Sequence, residues 1–208
     1  PKKQLPPEGK TLKIGKLFQN RIVVVLFLVT IIAVGVEIST LGILTTFLMD
    51  LRQFSQATSK IGLIIHLAGV AAGRLIIGMI TREEKLVEYL LSLLGAATLF
   101  YLGLFFLDLN GLNYLFVFLT GITLSAMLPF IITLAGLHFK DQAGTVIGII
   151  KFAIPIGGIL MPFLLSVVSR FANLQTALVI YPLGFLLAFG LVAVGLRGVN
   201  SQAITTQP

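Results

Sequence analysis

Cysteine is absent from this 208-residue chain, and charge is scarce. Without cysteine there is no disulfide framework and no thiolate metal site, so redox compartment leaves no mark. Only 11% of the residues are charged, against about 25% in an ordinary soluble domain. The N-terminal stretch lacks the apolar core and small-residue cleavage site of a secretory signal peptide. No metal-ligand cluster, nucleophile–base pair, phosphate-binding loop or nucleic-acid motif stands out, so no cofactor and no nucleic-acid partner is expected. Acids are also few, 8 against 15 Lys and Arg, for a net charge of +7. The bases mostly flank apolar runs, which is an orientation signal in a membrane protein rather than a nucleic-acid footprint.

What the chain has in abundance is apolar surface: 57% of residues are hydrophobic and the mean hydropathy is +1.03. Such a chain buries its surface only with lipid as part of its surroundings. A spanning helix takes about 20 apolar residues, and six runs qualify. They are read at residues 22–49, 61–80, 86–107, 112–137, 143–168 and 177–196. The fold class is therefore an all-α membrane protein with six transmembrane helices. Residues 1–21 read as a basic cytoplasmic linker, mobile to Thr11, 22–197 as the six-helix domain and 198–208 as a cytoplasmic tail. The chain opens on Pro1 rather than Met and reads as part of a longer one.

Six helices put both ends on one side. That side carries Lys2, Lys3, Lys10, Lys13, Lys16, Arg21, Arg82, Lys85, Lys140 and Arg197, against Arg52, Lys60 and Arg170 on the other. The positive-inside bias makes the first side cytoplasmic. The expected location is a bacterial inner (plasma) membrane.

Four ionisable residues fall inside apolar runs: Glu37, His66, Arg74 and Lys151. Charge there is expensive and faces the bundle interior or a water-filled path, which makes each a candidate for a substrate or proton pathway. With a rise of about 1.5 Å per residue, Glu37 and His66 come out level, about 22 and 21 Å from the cytoplasmic edge. Arg74 and Lys151 form a lower layer, about 10 and 12 Å up, leaving roughly 12 Å between Glu37 and Arg74. The expected pair is therefore Glu37 with His66. Histidine titrates near neutral pH, so proton coupling is open. The lower basic layer would suit an anion, although long cationic side chains also reach toward headgroups.

Small residues at Gly69-x-x-x-Gly73 and Gly144-x-x-x-Gly148 permit close helix approach. Pro129 in the fourth run, and Pro155, Gly157, Gly158 and Pro162 in the fifth, weaken the helical ladder and are candidates for bends or gates.

These residues, in their order and spacing, resemble the C-terminal six-helix half of a major facilitator superfamily transporter, in particular the fucose-permease-like group. GVEISTLGILTTFL looks like the family's seventh helix, and AGRLIIGMITREE like the eighth and its cytoplasmic turn. Gly73-Arg74 and Gly78-x-x-x-Arg82 match a worn copy of the family's loop motif, with Thr81 where an acid is common. The stretch from Leu128 to Arg170 looks like helices ten and eleven. The resemblance implies alternating-access transport of a small solute, and sugar as its class; the Arg74 and Lys151 layer adds a small organic anion as the other candidate, proton coupling as a symporter stays open on His66, and no enzymatic activity is expected. It implies an N-terminal six-helix half as partner besides the lipid bilayer, with residues 1–21 in the central loop. In the fucose-permease group the coupling acids lie mainly in the other half, so none carries over. The rival readings are a half-size transporter paired with a second copy, and a non-transporting membrane subunit or scaffold. One glutamate and one histidine make a poor active site.

Overall fold

The computed structural model describes residues 14–197. The predicted mobile stretch to Thr11 and the tail 198–208 lie outside the described residues. The helices are α1 (Ile14–Leu17), α2 (Arg21–Asp50), α3 (Gln56–Ile80), α4 (Leu86–Phe106), α5 (Asn113–Ser125), α6 (Met127–His138), α7 (Ala143–Phe171), α8 (Leu174–Ala177) and α9 (Ile180–Gly195). With α5–α6 and α8–α9 each counted as one span, six spans are long and apolar enough to cross a membrane. The all-α, six-span reading therefore stands.

Capping residues set the boundaries. Asn20 accepts from the Ile22 amide at 2.9 Å and starts α2. Ser55 accepts from the Thr58 amide at 3.2 Å and starts α3 at Gln56, five residues before the expected start. A side-chain oxygen at the N-cap satisfies an amide that the first turn cannot, so polar QATSK joins the helix. The turn between α2 and α3 passes through Gln53 at φ 56°, a left-handed conformation rare for a residue with a Cβ. Arg52 closes this turn onto α4 by donating to the Leu104 and Leu107 carbonyls, both at 2.7 Å. Partial burial lowers the Arg52 pKa, and Asp108 offsets part of that shift.

On the opposite side, Arg21 donates to the Val194 carbonyl at 2.9 Å, so the first and last spans meet at their ends. The described end of the predicted linker is docked there as well: Leu17 is buried and Phe18 packs edge-on against Phe27 at 5.6 Å.

α2 is the centre of the bundle. Its most extensive partner is α7, and α3 packs most extensively on α5. Glycine makes both pairings possible. A Cβ on Gly35 would stand 2.6 Å from the Gly157 carbonyl oxygen. One on Gly69 or Gly121 would strike backbone across the α3–α5 contact. Without hydrophobic force between helices in lipid, such close packing carries much of the association. The Gly144 and Gly148 pair does not serve this purpose: nothing lies within 4 Å of either missing Cβ. On the far flank of α2, two buried tyrosines find hydroxyl partners, Ser39 with Tyr181 at 2.6 Å and Thr40 with Tyr101 at 2.8 Å. Tyrosine needs such a partner when its ring is buried.

The fourth span is broken and the fifth is not. α5 ends at Ser125, Ala126 sits at φ −108° and ψ −4°, and α6 begins at Met127. Pro129 has no amide proton, so the Ser125 carbonyl, four residues back, has no helical donor. α7 runs continuously from Ala143 to Phe171 with Pro155 and Pro162 inside it. The helix continues through both, although each proline takes one amide out of its ladder, as Pro129 does in α6.

Candidate functional site

α3 and α7 are the least covered spans, with only 22% of their most apolar windows buried by the rest of the chain. Between them lies α2, and one strip of α2 is also uncovered. Its edge toward α3 is Glu37, half-buried, and its edge toward α7 is Ile38, 39% exposed. Leu41, 36% exposed, and Thr45, half-buried, continue the strip one and two turns beyond Glu37. The reverse side of α2, including Val29, Val36 and Thr40, is fully buried.

Helical spacing arranges the walls. Lys151, Pro155, Gly158 and Pro162 follow one another at intervals of four, three and four, so they share one side of α7. A Cβ on Gly158 would meet the Ile38 side chain, which sets that side of α7 beside the strip. Lys151 is exposed, two turns from Gly158. Towards the C-terminal end of α7 the same side opens into a cleft of about 550 Å³ lined by Ile38, Gly42, Pro162, Ser166, Ser169 and Arg170. Gly157, by contrast, belongs to the α2–α7 packing contact.

On the other wall, Arg74 is exposed on α3 and interacts electrostatically with Glu37. No cation and carboxylate among the described residues come within ion-pair distance, 4.0 Å. Arg74 instead donates through Nε to the Ser125 carbonyl at 3.4 Å. This is the carbonyl that Pro129 leaves free, and Pro129 itself is exposed beside the break.

This corrects the expected pairing. Because α3 begins at Gln56, every residue on it lies deeper than counting from Ile61 implies. From the ends that meet at the α2–α3 turn, His66, Glu37 and Arg74 lie about 15, 20 and 27 Å along their helices. Arg74 is thus about 7 Å from the level of Glu37, within the span of a long side chain. His66 points elsewhere. It is fully buried against α5, its Nδ1–H donates to the Val117 carbonyl at 3.3 Å, and Thr120 Oγ1 lies 3.3 Å from the same nitrogen. Its Nε2 is buried and has no hydrogen-bond partner. His66 joins two helices and lies off the open strip.

The predicted turn motif separates in the same way. Gly73 lies inside α3, where a Cβ would strike Ser125 and Ile122 of α5, so it is a packing residue and not part of a loop. Gly78 is exposed near the end of α3, and Arg82 stands exposed ahead of the 3-10 turn Glu83–Lys85. Sequence reading missed the Ser125 carbonyl and the Ser166–Ser169 cleft. The first was signalled by Pro129, whose effect falls four residues upstream.

No metal-binding group of three or more His, Cys, Asp or Glu occurs among the described residues. No individual curated protein matches the chain. The model of one family, described as Major Facilitator Superfamily, matches residues 1–162, from the N-terminal arm to Pro162 in α7. That match covers most of the chain and all of the open strip, and with six apolar spans behind it the chain belongs to the Major Facilitator Superfamily, whose members are transporters.

Proposed function

We propose that this chain is the C-terminal six-helix half of a secondary transporter and moves a small solute by alternating access. One observation carries the reading. Three charged side chains, Glu37, Arg74 and Lys151, stand at membrane depth around a single strip that the chain itself leaves uncovered. Charge at such depth is tolerated toward a water-filled path or a protein partner, not toward acyl chains. The path is lined by α2, α3, the broken α5–α6 span and α7, with the second half-bundle facing them. Glu37 is the candidate proton carrier. The basic flanks support cytoplasmic termini, and the membrane is read as a bacterial inner membrane. The likeness to the fucose-permease group supports membership of that group and includes sugars among the candidate solutes.

The absence of cysteine from this chain makes the test direct. Leu41→Cys and Lys151→Cys, on the strip, should react with a membrane-impermeant maleimide. Leu99→Cys, on the outward face of α4 and 68% exposed, should not. Equal labelling at all three positions, or none at Leu41 and Lys151, would remove the pathway and favour a scaffold.

A further inference from the structure

Resting on the transport reading above, we infer that the solute held at this strip is a small organic anion, taken between Arg74 and Lys151. The first ground is the donors left over. Arg74 spends only Nε on the Ser125 carbonyl, and its two terminal amino groups make no hydrogen bond to the described residues. The Lys151 ammonium makes none either. A guanidinium fork with both amino groups open matches a carboxylate or phosphate in two-point geometry.

Position is the second ground. Arg74 lies six residues from the end of α3 and Lys151 eight from the start of α7, about 9 and 12 Å from the same side of the bundle. Arg74 stands on the α3 wall and Lys151 on the α7 wall, each in the part of its helix nearer that side. Charge balance is the third. Glu37 is the only acid on the strip; the remaining described acids, Asp50, Glu83, Glu84, Glu88, Asp108 and Asp141, lie at helix ends or in turns. Two cations against one carboxylate leave a net positive site.

The fourth ground concerns a neutral sugar. Polyol recognition relies on paired donors and acceptors, supplied by amide side chains. Every Asn and Gln among the described residues lies at a helix end or in a turn: Gln56 and Asn113, for instance, are the first residues of α3 and α5. The strip and its cleft offer cations, a carboxylate and the hydroxyls of Thr45, Ser166 and Ser169 in place of amides.

The test is uptake into cells expressing the whole reading frame, with matched probes: gluconate against sorbitol, and lactate against 1,2-propanediol. Each pair shares a carbon skeleton and differs in the carboxylate. An anion should be taken up and its neutral match ignored. Arg74→Gln and Lys151→Gln, at equal membrane abundance, should each lower that uptake about tenfold or more, the loss of one charge-assisted hydrogen-bonding group. Arg74→Lys and Lys151→Arg should keep part of it, which guards against a folding defect. Uptake of the polyols alone overturns the anion and leaves the transporter. Anion uptake indifferent to all four substitutions also overturns it, and makes the two cations headgroup-reaching side chains. Uptake of no probe counts against both readings.

Discussion

Arg74 donates to the carbonyl of Ser125, the one main-chain acceptor that Pro129 strips of its helical partner. A cation on one helix thereby serves a gap in another. The gap is cheap to maintain only while the guanidinium stays, because an unsatisfied carbonyl in a membrane costs several kcal/mol.

Pro129→Ala restores an amide at position 129 and lets the Ser125 carbonyl rejoin the ladder. Thermal stability in detergent should rise by about 1 kcal/mol, the net value of one hydrogen bond. Arg74→Gln should then destabilise the Pro129→Ala protein less than it does the parent. Equal effects in the two backgrounds would show that Arg74 does not act on the break.

Gly157→Ala drives a methyl group into the Ile31 carbonyl of α2. Overpacking of this kind costs about 1–3 kcal/mol. Gly148→Ala, on the open side of the same helix, should be neutral or gain up to about 1 kcal/mol from helix propensity. Paired melting curves check the contrast, and similar losses from both would remove the α2–α7 contact from the account.

His66→Ala removes the side chain that reaches the Val117 carbonyl from α3 and leaves a void in a buried contact. A loss of about 2–4 kcal/mol is expected. Combined with Glu37→Gln, the stability changes should add within about 0.5 kcal/mol, as they do for groups that share no partner. Strong non-additivity would reinstate a Glu37–His66 pair.

Gln53→Gly relieves a left-handed residue in the turn that Arg52 holds. The gain should be about 0.5–1 kcal/mol, since the steric penalty exceeds glycine's extra chain entropy. Arg52→Ala should move the melting temperature the other way, by about 1.5–3 kcal/mol for a charged donor lost from two carbonyls. A lower melting temperature for Gln53→Gly would contradict the turn geometry.

The six spans were legible because lipid imposes one rule on every segment, about 20 apolar residues with the backbone bonded internally. Glu37, Arg74 and Lys151 were legible for the same reason, as exceptions to it. Their mutual arrangement was not. Depth depends on where a helix begins, and Ser55 begins α3 inside a stretch whose polarity reads as loop. Direction depends on which side of a helix is covered, and His66 is turned inward by the glycines that bring α3 against α5. The break at Ala126 carries no glycine or proline of its own. Its cause stands three residues later in the chain, in Pro129.

The two glycine contacts described above have a mechanical consequence. α2 with α7, and α3 with α5, are each closed backbone to backbone, with little side-chain padding to yield. The bundle therefore behaves as two stiff ribs meeting along a softer seam. Glu37 stands on one rib and Arg74 on the other, so their separation gauges the seam. Any rocking of one rib past the other changes the field across the strip before either rib deforms.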